Sequence, residues 1–272
     1  MAIVRFAVAM LVISAGALAQ DAKHVTVYKE KGRFGGWPAN HGVWIWGNEI
    51  VVGFSRGYYK DLGEERHNID RDKPEEHVLA RSTDGGETWS IEQPNEKGYL
   101  LPQGKALHGT ELKGVAIKPA TEFTGEINFT HPDLAFTTRM SSADDGASRF
   151  YYSYDRAKTW EGPFKLPMFG TKGVMARTDY VVFGPKECML FLTASKENGR
   201  EGRPFCARTI DGGKTWEFVG YIAPEPKGYS IMPATVRLDG GALLSAIRVK
   251  EDGKSWIDGY LSTDGGTTWQ FL

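Results

Sequence analysis

The sequence predicts an all-β protein assembled from several small sheets, and three observations carry that reading. The 272-residue chain is 12% aromatic, with eight Trp, 33 Gly and 13 Pro, which favours short strands joined by tight turns over long helices. One hairpin pattern recurs four times without gaps, at Ser82–Trp89, Ser153–Trp160, Thr209–Trp216 and Ser262–Trp269. Each copy closes a strand-like run, in turn HVLARS, RFYYSY, PFCART and DGYLS.

In every copy an Asp (Asp84, Asp155, Asp211, Asp264) follows a hydroxyl residue by two positions, and a Trp (Trp89, Trp160, Trp216, Trp269) follows that Asp by five. With the shared Thr, this register is expected by chance about 0.004 times in such a chain, so the copies share one structural role. Asp-Gly supplies a turn that needs positive φ, and the carboxylate accepts the turn's own N–H groups. The Trp is expected to fold back and plug between neighbouring sheets. The second copy has Arg156-Ala157 in place of Gly-Gly, which predicts a strained or reshaped turn. The four Asp are 71, 56 and 53 positions apart, room for about four strands plus loops in each repeat. Units of that size bury their faces only on one another, and closing them radially into a propeller protects their edges.

Outside the repeats, the first residues place Arg5 before an apolar run that ends in Ala17-Leu18-Ala19. That is the layout of an export signal cleaved after Ala19. Residues 1–19 are therefore expected to be removed, leaving residues 20–272 as one propeller domain, secreted or periplasmic and without a membrane partner. Lys+Arg 33 against Asp+Glu 34 argues against nucleic acid as a partner. Cys188 and Cys206 lie in apolar strand-like segments and read as buried thiols or one cross-strand bridge. The six His show no zinc spacing, and no metal, Walker or Rossmann signature is present. No cofactor is expected.

The recurring Asp/Trp pattern resembles the Asp-box of sialidases and other bacterial neuraminidase-repeat proteins, from about Arg33 to Leu272. The resemblance implies a six-bladed β-propeller with the boxes on the rim away from the active site, so the eight box Asp and Trp residues are structural. About four to five blades fit the repeat length. A C-terminal truncation is therefore expected, with the family's third arginine and catalytic tyrosine beyond Leu272. The implied activity is that of an exo-acting, retaining glycosidase on terminal sialic acid or a related acidic sugar. The contrasting reading is a non-catalytic propeller that binds glycan or protein, and a third keeps the enzyme but gives it a uronate.

Arginine suits a sugar carboxylate because its planar fork is always charged and donates two parallel hydrogen bonds. Arg33, in GRFGGWPANHG, stands where the family's first arginine falls, although Arg-Phe-Gly replaces the usual Arg-Ile-Pro. Arg56 ends the strand-like EIVVGFSRGYY as the second does, and Arg248 closes TVRLDGGALLSAIR. Arg177 and Asp133, in the polar stretches VMARTDYVVFG and FTHPDLAFTTRM, are further pocket candidates. The family's general acid follows its second arginine, which points to Asp61, with Asp70 and Asp72 as alternatives in the same charged loop; burial would have to raise the chosen carboxyl. Met232 occupies the place of the family's tyrosine-activating glutamate, and Glu225 is the nearby substitute.

Overall fold

The computed structural model describes residues 23–64, 66–101 and 118–272. The predicted export signal, residues 1–19, lies outside them. The described residues form four antiparallel sheets stacked as the blades of a β-propeller, with almost no helix. Blade 1 holds β1 (Arg33–Gly36), β2 (Val43–Trp46), β3 (Glu49–Tyr58), β4 (Glu76–Ser82) and β5 (Ser90–Glu92). Blade 2 holds β6 (Ala135–Met140), β7 (Ser148–Ser153) and β8 (Glu161–Lys165). Blade 3 runs β9 (Val174–Gly184), β10 (Glu187–Ser195), β11 (Glu201–Thr209), β12 (Glu217–Tyr221). Blade 4 runs β13 (Tyr229–Arg237), β14 (Leu243–Glu251), β15 (Lys254–Ser262), β16 (Gln270–Phe271).

The Asp motifs are the turns before the last strand of each blade, and their bonding follows from the residue types. Asp84 accepts the backbone N–H of Thr88 at 3.0 Å and its hydroxyl at 2.5 Å, while Ser82 donates to the same carboxylate at 2.7 Å. The other three copies repeat this cage around Asp155, Asp211 and Asp264. The threonine hydroxyl foremost, with the backbone donors, holds Asp84 below the usual carboxylate range and Asp264 down to about 2. The second turn has the shape of the others, but Arg156 (φ 60°) and Ala157 (φ 66°) take up left-handed backbone that Gly85 (φ 78°) and Gly86 (φ 96°) take up freely. The expected strain is present, then, without a change of turn. Arg156 offsets it by bonding Asp133 at 2.6 Å and Glu49 at 2.9 Å, tying the second turn to blade 1.

The motif tryptophans pack between blades. Trp160 of blade 2 meets Trp44 of blade 1 edge-on at 5.7 Å. Trp216 of blade 3 sits among Phe129, Phe136 and Phe150, and Trp269 of blade 4 faces Phe191 of blade 3 at 6.4 Å. Trp89 instead joins Phe54, Val78 and Ala80 of its own blade, with Val27 and Tyr28 of the N-terminal segment. Cys188 and Cys206 are free, buried thiols. Of the two readings of the cysteines, the bridge is excluded: Cys188 pairs with Thr209 and Cys206 with Phe191, so the strand register keeps them apart.

Blade 1 departs from the others at its inner edge. β1 and β2 both pair with β3, forming one strand interrupted by a single helical turn, α1 (Pro38–His41). Trp37 enters it in left-handed backbone (φ 58°) with Pro38 in the first turn, where its missing N–H costs nothing. The turn packs on β3, β6 and β9, strands of three different blades. Gly53 makes room for it: a Cβ there would lie 2.7 Å from His41 Cβ.

Candidate functional site

Two strand registers define the ends of a blade. In blade 1 Ile50 pairs with Ser82 beside the Asp turn, whereas Arg56 pairs with Glu76 at the opposite end. Arg33, opposite Tyr58, shares that far end. Blade 3 places Glu201 at the far end and Thr209 beside its turn, and blade 4 does the same with Arg248 and Ser262. Arg33, Arg56, Arg177 and Arg248 therefore all lie away from the Asp turns.

Arg33 and Arg56 come together on one carboxylate. Arg33 Nη2 donates to Glu76 Oε1 at 3.1 Å and Arg56 Nε to the same oxygen at 2.6 Å. Arg56 Nη2 also donates to Gln93 at 2.7 Å. The Arg33 guanidinium lies over the Tyr58 ring at 4.2 Å, and its Nε is buried without an acceptor. Two cations against one anion leave a net positive charge, which suits an incoming carboxylate.

Arg177 anchors a second group. Its Nε donates to Asn40 Oδ1 of α1 at 3.2 Å, and its Nη1 and Nη2 grip Glu201. Glu201 borders a cleft of about 470 Å³ shared with Asp144, Lys196, Arg200, Tyr229 and Ile231. A smaller cleft of about 230 Å³ behind blade 1, lined by Val27, Tyr28 and Phe54 among others, carries no charged group. Arg248 shares an open sheet face with Leu244 and Ala246, as strand alternation predicts. Its guanidinium lies 5.7 Å from the Tyr229 ring centroid. Among the described residues it shares no bonding partner with Arg33 or Arg56.

The predicted acids are placed less favourably. Asp61 is exposed and accepts the Gly63 N–H at 3.0 Å, a local turn contact. Asp72 is exposed beside Lys60 at 3.3 Å. Burial pulls Asp70 upward, but the Asp72 N–H and the ammonium groups of Lys60 and Lys73 outweigh it and hold the carboxyl low, the reverse of what a proton donor needs. Glu225 pairs with Arg203 at 3.7 Å. Asp133 lies beside the second Asp turn on Arg156, away from the arginine end.

Asp179, in the same stretch as Arg177, behaves differently. Its Oδ1 accepts the Thr235 N–H at 3.4 Å across β9 and β13, and its Oδ2 is buried with no partner. Burial pushes the carboxyl up to about 7. The partners Glu76, Gln93, Asn40 and Glu201 were missed by sequence reasoning, because each meets its arginine only through strand register or contacts remote in sequence.

The fold is that of a β-propeller. No family model matches the sequence. It is 23% identical over 207 residues to a sialidase of Paraclostridium sordellii, across 70% of this chain and 48% of that protein, so the chain spans about half the length of the curated relative it matches. Among solved structures it is similar to a protein of unknown function from Dyadobacter fermentans, with a TM-score of 0.64 at 17% identity over 90% of this chain and 70% of that one. It also resembles an endo-1,4-beta-xylanase from Bacteroides thetaiotaomicron, with a TM-score of 0.51 at 10% identity over 86% and 72% of the two chains. The chain is thus a β-propeller in fold, and its likeness in sequence is to a sialidase.

Proposed function

We propose that this chain is an exported sialidase-like glycoside hydrolase that binds a terminal acidic sugar, sialic acid or a related acid such as a uronate, at the end of the blades away from the Asp turns. The observation that carries the reading is the meeting of Arg33 and Arg56 on one carboxylate oxygen of Glu76, since the same two guanidinium groups suit a sugar carboxylate. Asp179, two residues from Arg177 on β9, is the candidate proton donor, since burial pushes its carboxyl up to about 7 while Asp70 is held low. The resemblance to the Asp-box proteins adds retention of configuration and a ring of six blades to the proposal.

The test is turnover of a fluorogenic sialoside beside a panel of uronides by the wild type, Arg56→Ala and Asp179→Asn. Turnover of one substrate is expected, with each variant slower by about a hundredfold or more. Equal rates in all three proteins would remove these residues from the reaction. The low carboxyl of Asp70 and the local bonding of Asp61 favour a second reading, a sugar-binding propeller without catalysis. That reading predicts acid-sugar binding that Arg56→Ala abolishes, with no hydrolysis by any form.

A further inference from the structure

Arg139 and Arg149 face each other across the β6–β7 pair, where directly opposed side chains lie on one face and like charges repel. Both are buried, with 5% and 1% of their surface exposed. All bonds of Arg139 leave through Nη1, to the carbonyls of His41 at 3.2 Å, Thr138 at 2.9 Å and Asn40 at 3.5 Å, and to the Thr137 hydroxyl. Its Nε and Nη2 are buried without an acceptor. Arg149 donates to the Tyr151 hydroxyl at 3.0 Å and the Met140 carbonyl at 3.3 Å. Every one of these acceptors is neutral.

The chain treats its other well-covered arginines differently. Arg81 is held by Glu49 and Glu92, Arg177 by Glu201, and Arg56 by Glu76. Among the described residues no carboxylate lies within ion-pair distance of Arg139 or Arg149. Removing an unpaired charge from water is among the costliest events in folding. Neutralisation does not relieve it: burial first, and then the nearby Arg149, bring Arg139 down to about 9, which still leaves it cationic at neutral pH. Water would satisfy the free N–H groups but not the charge.

We propose that Arg139 and Arg149 hold a small monovalent anion of halide size, with Nε and Nη2 of Arg139 as its principal donors. The near-complete covering of both side chains excludes a sugar ring, which separates this site from the one proposed around Arg33 and Arg56. Bound there, the anion offsets one of the two buried positive charges where β6 meets α1.

The experiment compares melting of the full chain in sodium chloride and in sodium gluconate at equal ionic strength, with wild type, Arg139→Met and Arg56→Ala, and adds the ³⁵Cl NMR linewidth of the wild type with bromide as competitor. The wild type is expected to melt about 3 °C or more higher in chloride and to broaden the ³⁵Cl line reversibly. Arg139→Met should lose the chloride effect, and Arg56→Ala should keep it. No melting difference together with an unbroadened line overturns the proposal, as does a chloride effect that survives in Arg139→Met or disappears in Arg56→Ala. Should Arg139→Met fail to fold, the wild-type linewidth and the Arg56→Ala melt decide between these outcomes.

Discussion

Arg156 and Ala157 hold the left-handed backbone that glycine supplies in the other three turns, and a non-glycine residue there costs about 1 kcal/mol. Ala157→Gly is therefore expected to stabilise the protein by about 0.5–1 kcal/mol in urea titration, and Gly86→Ala in the first turn to destabilise it by a similar amount. Arg156→Gly should gain nothing, because it also removes the ties to Asp133 and Glu49. Asp179 carries a second residue-level expectation. Below about pH 4 folded and unfolded chains both hold its proton; between about 4 and 7 the unfolded chain releases it while the folded one keeps it. Its contribution thus makes stability fall as pH rises through that window and level off above it. Asp179→Asn should melt higher than wild type at pH 8, by about 1–3 kcal/mol of unfolding free energy, and the difference should vanish near pH 4. Equal pH profiles for the two proteins would show that Asp179 is not held protonated.

At the scale of elements, the part played by each motif tryptophan depends on what lies beside its blade. Trp160 is 5% exposed and bridges two sheets, whereas Trp89 packs on its own blade and the N-terminal segment. Trp160→Ala is expected to cost about 3–5 kcal/mol and Trp89→Ala about half of that, measured by denaturant midpoints. Equal losses would mean that the interblade position adds nothing. The turns and their tryptophans were legible in the sequence because every bond that defines them closes within eight residues, from Ser82 to Trp89 and likewise in the other copies. The helical turn α1 was not, since the run Trp37-Pro38-Ala39-Asn40-His41 forms it only by packing on three blades. The arginines were legible as candidates, and their placement at one end followed from strand order. Glu76, Asn40 and Glu201 were hidden because their roles depend on register and on neighbours remote in sequence. Alternation assigned Arg248 to a face with Ala246, but not which neighbour that face meets.

For the whole molecule, the buried contacts are richest where blades 2 and 3 meet, and β10 lies at their heart. Seven of its nine residues are buried and it is paired on both sides, by β9 and β11. Local opening draws on regions with few buried contacts, so β10 should open only when the whole propeller does. Its Cys188, and Cys206 of the neighbouring strand β11, report that event directly. Burial pushes the Cys188 thiol well up and Cys206 to about 12, so neither supplies thiolate at pH 8 while folded. Both thiols should therefore resist an aromatic disulfide reagent at pH 8 in buffer and react together once denaturant crosses the unfolding midpoint. If Cys206, which touches the fourth Asp turn through the Gly266 carbonyl at 3.3 Å, reacts well before Cys188, then blade 4 separates from blade 3 ahead of global unfolding and the sheets melt singly. Simultaneous reaction is the expected result, because Met189, Phe191 and Cys206 of blade 3 share one core with Leu243, Ile247 and Val249 of blade 4.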